Sequence, residues 1–454
     1  MTDAIERLQS SVRNSKMLRL ISIWFLALLL QIPIMMIGKL VKERQQRRQG
    51  AVEEISSKWG NAQTITGPAL VVPYTAQWTE VSTDGKQTIR TESRNAIFLP
   101  EKLHLNGSID TETRKRGIYS VPVYTLGLTV EADFAPPNFT ELGIEPAAIA
   151  WDRAHLAVGI SDVRAIQKEA TLSWDDRQVT FLPGTGAFTD AGPGIHADLG
   201  VAGAPQRLAF SFSLALNGSV GVYLTPFGRT TVVELQSDHG HPSFQGNWLP
   251  TERSISGSTF RASWSIPSLG RNYPQAWNSN AAMREAIEGS RFGVDLVNPV
   301  DSDRMADRSV KYAALFIVLT FASVWLVEVL TGVRVHPIQY LMLGGALCLF
   351  YLLELSLSEH LGFGMAYAVA STSVIGMVGA YCRSVLHRTR RALVVASGVA
   401  LLYAYLYILL VNEDYALLVG SVGLFVILAA IMYVTRRVDW YAVGNRPPTT
   451  AESS

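Results

Sequence analysis

The chain has 454 residues, of which 48% are hydrophobic and 17% charged, and its formal net charge is +1. So balanced a charge implies neither nucleic acid nor an acidic polymer as partner. The apolar content gathers in six runs, each close to the ~20 residues a helix needs to cross ~30 Å of hydrocarbon, which excludes a wholly soluble protein.

Residues 1–17 precede the first run, Leu18–Gly38. It is too long for the apolar core of a removable signal peptide, and no small-x-small cleavage site follows, so it reads as an uncleaved signal-anchor. Pro33 is expected to bend it, an event that membrane helices tolerate. A basic stalk follows at once: Lys39, Lys42, Arg44, Arg47 and Arg48.

Residues 39–308 read as a separate water-exposed domain built from β-strands. Period-2 alternation is the strand signal. In Tyr124–Phe134 one face carries Tyr124, Leu126, Leu128, Val130, Ala132 and Phe134, while the other carries Thr125, Gly127, Thr129, Glu131 and Asp133. Leu208–Leu216 and Phe260–Ile266 alternate in the same way. Asn217-Gly218, Asn106-Gly107 and Asp84-Gly85 read as hairpin turns, because such dipeptides accept positive φ. Helix is expected only in the stalk and over Asn280–Glu288. The expected fold is an antiparallel β-sandwich, extended beyond an immunoglobulin domain. Both cysteines, Cys348 and Cys382, lie in or beside apolar runs, so this domain must stand on its core alone.

Recognisable catalytic motifs are missing: no phosphate loop, no Gly-x-Ser-x-Gly elbow, no His-Glu-x-x-His zinc helix. Ser237-Asp238-His239-Gly240-His241 has a spacing that can bind a divalent metal, but histidines in such turns are more often packing residues. The domain is therefore expected to hold no metal and no cofactor and to have no catalytic site.

Five further runs fill residues 312–434: Tyr312–Leu330, Ile338–Leu357, Leu361–Tyr381, Ala392–Val411 and Tyr415–Val434. Their linkers alternate. Arg334, then Arg383, Arg388, Arg390 and Arg391, then Arg436 and Arg437 mark one side, while Ser358–His360 and Asn412–Asp414 lack lysine and arginine. Basic linkers stay in the cytoplasm, which puts both termini and the tail 435–454 inside and the β domain outside. Arg446–Ser454 is expected to be disordered.

Glu328 and Glu354 sit a few residues from span ends, where a carboxylate is expected to reach headgroups or water. With no charge near any midpoint, an ion-coupled transporter is disfavoured. Gly364, Ala368, Thr372, Gly376 and Ala380 recur every four residues and predict close helix packing, within the bundle rather than between copies. Tyr403, Tyr405 and Tyr407 do not share a helix face. Lys42, Arg44, Arg47 and Arg48 face an acidic rim formed by Glu354, Glu359, Glu413 and Asp414, so the stalk either docks there or lies on anionic headgroups.

Several longer stretches carry a family resemblance. They are Gly67-Pro-Ala-Leu-Val-Val-Pro-Tyr74, Arg116-Gly-Ile-Tyr-Ser-Val-Pro-Val-Tyr124 and His241-Pro-Ser-Phe-Gln-Gly-Asn-Trp-Leu-Pro250. In the C-terminal part they continue with His336-Pro-Ile-Gln-Tyr340, Phe350–His360, Glu413–Leu418 and Thr435–Tyr441. The chain resembles the CreD family of bacterial inner-membrane proteins over its whole length, with Trp248 a small departure from the pattern. The resemblance implies a role in envelope integrity beside a sensor-kinase and response-regulator pair, a link to β-lactam response and colicin tolerance, and no catalytic residues.

Three readings follow. The leading one is a multi-pass inner-membrane protein whose periplasmic β domain binds an envelope or membrane-protein partner without catalysis. The second is a transporter or lipid-handling bundle, which a water-accessible path would favour. The third is an envelope-modifying enzyme, which a pocket of convergent carboxylates or histidines would favour. Ligand and oligomeric state are not legible.

Overall fold

A computed structural model describes residues 16–81, 87–205, 208–279, 282–296, 302–331, 333, 335–412 and 415–436. The expectations at Asp84-Gly85, Arg334, Glu413, Asp414, Arg437 and the C-terminal tail lie outside the described residues. Two compact units emerge: Met1–Arg48 with Val300–Ser454, and Gln49–Pro299.

The chain begins with helix α1 (Lys16–Leu29) and helix α2 (Gln31–Trp59). They are separated at Leu30, three residues before Pro33, whose ring crowds the carbonyl of Leu29 four positions back. The amide of Ile34 still reaches the Leu30 carbonyl at 3.4 Å, so the interruption is local. Beyond it α2 continues without a break through the basic stalk.

Among the described residues the second unit holds seventeen strands. The first nine are β1 (Gln63–Val81), β2 (Gln87–Phe98), β3 (Lys102–Arg116), β4 (Tyr119–Asp133), β5 (His155–Ile160), β6 (Thr171–Trp174), β7 (Arg177–Thr180), β8 (Leu182–Pro183) and β9 (Gly194–Asp198). Then come β10 (Ala209–Ser219), β11 (Gly221–Leu224), β12 (Thr230–Ser237), β13 (Pro242–Gly246), β14 (Glu252–Ser256), β15 (Thr259–Pro267), β16 (Ala276–Asn278) and β17 (Phe292–Leu296). One sheet runs β13-β17-β11-β1-β5-β9-β8, with β2 also on β1 and β16 on β2. The other runs β14-β15-β12-β3-β4-β10-β6-β7. A short helix α3 (Arg284–Gly289) replaces the longer one expected from Asn280.

Burial follows the alternation: β4 and β12 turn every second side chain inward. One core draws on both sheets, from Leu70, Val72, Leu156 and Val158 of the first and from Leu128, Val130, Leu214 and Trp264 of the second. Trp264 and Phe292 join the sheets with ring centroids 5.6 Å apart. The sheets are mixed, however, and not purely antiparallel: β1 pairs with β11, and β3 with β12, in parallel. Alternation reports which face is buried and carries no strand direction.

Two expected hairpin turns are absent for a common reason. Asn217-Gly218 lies within β10, where Gly218 pairs with Tyr124. A Cβ on Gly218 would fall 2.3 Å from the Tyr124 ring, so glycine is there for close approach and not for positive φ. Asn106-Gly107 likewise lies inside β3, and a Gly107 Cβ would meet Leu235 at 2.5 Å. The change of direction comes after β10, at Val220 (φ 67°), where the chain passes into the other sheet.

The helical unit is completed by α4 (Ser302–Thr331), α5 (Pro337–Leu361), α6 (Phe363–Val385), α7 (Thr389–Val411) and α8 (Ala416–Thr435). Among the described residues six helices are long and apolar enough to cross a membrane. The His336-Pro-Ile-Gln stretch is a helix start: the His336 ring accepts from the Ile338 amide, the Gln339 side chain accepts from the His336 amide, and Pro337 occupies the first turn. Phe316, Phe321, Phe350, Tyr367, Tyr403 and Leu406 fill the interior. The three tyrosines of α7 have separate tasks. Tyr403 packs on Phe350, Tyr407 on Tyr367, and the Tyr405 hydroxyl donates to the carbonyls of Val419 and Gly420 on α8. No residue of α8 is buried.

Candidate functional site

The polar residues that deserve scrutiny gather where the chain leaves the helical unit. The buried positions Ala27, Leu30, Ile34, Ile37 and Val41 are spaced three and four apart, so they line one face of α1 and α2. The next position in phase is Arg44. Val41 packs with Ala306 and Leu355. One turn on, Arg44 Nη1 donates to the Leu355 carbonyl at 2.8 Å and Nη2 lies 3.0 Å from Glu359 Oε1. Both side chains are mostly covered, at 13% and 25% exposure, while Arg44 Nε has no partner. Glu359 is thus held by a charge-assisted contact that also ties down the last turn of α5.

The other stalk bases do not join this contact. Arg47 pairs with Glu43 of its own helix at 2.6 Å, Lys42 is exposed and Arg48 is half-buried. The heptad phase distinguishes Arg44 from them, and charge counting alone does not.

Glu354 departs from the expectation of a solvated carboxylate. It is 1% exposed and turned into the bundle, where Ser309 of α4 donates to Oε2 at 2.7 Å and Oε1 has no partner. It therefore takes no part in the acidic rim. Tyr351, Tyr367 and Tyr403 lie within electrostatic reach of it. A cavity of about 10 Å³ is lined by Thr320, Tyr351 and Tyr403 among others. Glu328 is tied instead to the Tyr340 hydroxyl at 3.1 Å, half-buried.

The small-residue stripe also differs from expectation. Gly364, Ala368, Thr372, Gly376 and Ala380 are all exposed, and α6 packs through Ala366, Tyr367, Ala370, Val374 and Val378. Size does not sort the two faces, since Ala366 and Ala370 are buried while Met365 and Met377 are exposed. The stripe is left on the outer surface of the helical unit.

In the β unit, side chains and carbonyls of β3, β4 and β10 build the socket of α2. Trp59 donates to the Tyr124 carbonyl at 3.2 Å, Arg114 lies 3.9 Å above the Trp59 ring, and Arg116 pairs with Glu54 at 3.0 Å. Ser219 bridges Ser56 and the Gly60 carbonyl. Asp162 receives the amide and side chain of Asn61, and Arg164. Burial pushes the Asp162 carboxyl up, but the Arg164 and Asn61 hydrogen bonds together outweigh it and hold it below the usual carboxylate range.

The histidine cluster packs against β3 and within itself. Asp238 Oδ1 accepts from the amide and hydroxyl of Thr111, and the rings of His239 and His241 meet edge to face. Among the described residues no three His, Cys, Asp or Glu side chains come together as a metal would need. Trp248 accepts from the Trp264 indole through its carbonyl and packs on Phe292.

The family model described as Inner membrane protein CreD matches residues 15–441. Inner membrane protein CreD of Escherichia coli (strain K12) is 34% identical over 426 residues, which is 93% of this chain and 93% of that protein. Agreement of that extent covers both units and the stretches that form the α2 socket and the α5 cap. The chain belongs to the CreD family and is a multi-pass inner-membrane protein.

Proposed function

We propose that the protein supports the cell envelope by binding, not by catalysis, with its β unit in the periplasm and both termini in the cytoplasm. The alternation of arginine-bearing and arginine-free linkers supports that orientation.

The binding role rests chiefly on the arm formed by β1 and β2. From Gln77 to Glu80 and from Gln87 to Ser93 every residue is exposed, so the paired strands project with both faces in water. One face carries Trp78, with Arg94 5.1 Å from its ring, and Arg90, paired with Glu80. The other carries Ile89, 70% exposed. A ribbon that presents a tryptophan, an isoleucine and arginines without burying them contributes nothing to its own core, and such side chains are enriched at the centres of protein interfaces. Strand addition along its edge is a second means of contact.

A photocross-linking amino acid at Ile89, introduced into the full-length protein in cells, tests this reading. Capture of a defined protein or of a peptidoglycan fragment is expected. Capture of phospholipid alone would replace it with the second reading, a bundle that handles lipid or a small solute, which the burial of Glu354 favours.

A further inference from the structure

Glu354 is the one charged residue in the interior of the bundle among the described residues. Its surroundings are specific. Ser309 is itself fully buried and supplies one hydrogen bond, to Oε2, while Oε1 is buried and unpartnered. The bases in the adjoining turns are committed elsewhere: Arg44 to Leu355 and Glu359, Arg308 to the Leu409 carbonyl, and Lys311 to Asp307. An ionised carboxylate with a single hydroxyl partner and no cation is among the costliest arrangements a protein interior can hold. A proton on Oε1 removes that cost and turns the orphaned acceptor into a donor.

Tyr351 of α5, Tyr367 of α6 and Tyr403 of α7 all lie within electrostatic reach of Glu354. Tyr351 and Tyr403 also line a cavity of about 10 Å³, room for one water, to which Thr320 of α4 adds a hydroxyl. The Tyr367 hydroxyl donates to the Tyr403 carbonyl at 2.6 Å and ties α6 to α7.

We propose that Glu354 and Ser309, within electrostatic reach of Tyr351, Tyr367 and Tyr403, form an intramembrane proton-binding site, in which Glu354 exchanges a proton with water. The step transfers one proton from hydronium to Glu354 Oε1 and leaves water; nothing is oxidised or reduced. The titratable and charged groups nearest to it on the elements around it include Arg44 of α2, Asp307, Arg308 and Lys311 of α4, Cys348, Tyr351 and Glu359 of α5, Tyr367 of α6 and Tyr403 of α7. The paired state of the ionic ones leaves Glu354 as the group that changes charge.

Infrared difference spectroscopy of the full-length protein in lipid nanodiscs tests this directly. The wild-type spectrum at neutral pH should contain a carboxylic-acid carbonyl band, sensitive to deuterium exchange, that disappears in Glu354→Gln and converts to carboxylate bands as the pH is raised. Ser309→Ala removes the hydrogen bond to Oε2 and should shift the same band without abolishing it, which keeps the test open if Glu354→Gln folds poorly. A wild-type minus Glu354→Gln spectrum showing only carboxylate bands, or a Ser309→Ala spectrum with the acid band unmoved, would overturn the proposal.

Discussion

Replacing Arg44 by alanine isolates the contact on which the junction of α2 and α5 depends. The side chain makes two charge-assisted hydrogen bonds, to the Leu355 carbonyl at 2.8 Å and to Glu359 at 3.0 Å. Hydrogen bonds to a charged group contribute about 1.5–3 kcal/mol each. The lower figure applies to Glu359, which is 25% exposed and so partly screened. Against their sum stands the buried, unpartnered Nε, whose desolvation cost of about 1 kcal/mol is relieved by truncation. The net loss is about 2–3.5 kcal/mol, or roughly 30- to 400-fold in the folding equilibrium. Glu359→Ala should cost less, about 1–2 kcal/mol, because the Leu355 bond survives. Lys42→Ala and Arg47→Ala should stay within about 0.5 kcal/mol, as exposed residues do. The assay is reversible unfolding of the full-length protein in mixed micelles by SDS titration, followed by tryptophan fluorescence, with Arg44→Ala/Glu359→Ala closing a double-mutant cycle. Equal losses for Arg44, Lys42 and Arg47, or a coupling energy of zero between Arg44 and Glu359, would refute the heptad-phase argument.

Further outcomes can be stated for both units. Gly218→Ala should destabilise the β unit by about 1–3 kcal/mol through the clash with Tyr124, whereas Gly127→Ala, with no atom within 4 Å of the added methyl, should be neutral or slightly stabilising in thermal melts. Asp162 has its carboxyl held below its unfolded value, so its contribution is complete above about pH 4 and is lost as the pH falls through the folded pKa; Asp162→Asn should flatten that acid limb of the stability–pH curve. Tyr405→Phe should release α8 by about 1 kcal/mol, seen as faster protease nicking between α7 and α8. A cysteine at exposed Gln178 should react in intact spheroplasts with a membrane-impermeant maleimide, against a low background because Cys348 and Cys382 are buried; labelling confined to broken cells would reverse the orientation proposed here.

The membrane helices were legible because crossing a bilayer demands an unbroken apolar window, and a window survives being read without knowledge of its neighbours. Strand identity was legible for the same local reason, as in β4, where the alternation matches the buried face residue for residue. Pairing was not. Parallel contacts such as β3 with β12 join segments remote in the chain, and no local pattern records them. Gly107 and Gly218 misled because a glycine demanded by a crowding ring looks the same in sequence as one demanded by a turn. At the junction, Arg44 could have been singled out by continuing the spacing of Ile34, Ile37 and Val41. Glu354 could not, since its partner Ser309 and the three tyrosines within its electrostatic reach are spread over four helices. The exposed stripe on α6 shows the same limit: small residues announce that something could come close, and leave open which side the bundle occupies.

The last described helix, α8, buries no side chain of its own and is held by the Tyr405 hydrogen bonds and the partly buried Val419 and Ile427, which makes it detachable in a mechanical sense. Shortening the protein at Asn412 would strip away a panel and leave the aromatic interior sealed, so fusions and truncations there should spare expression and folding. A deletion of equal length in α7, which carries Tyr403 and Leu406, would open the middle of the molecule instead.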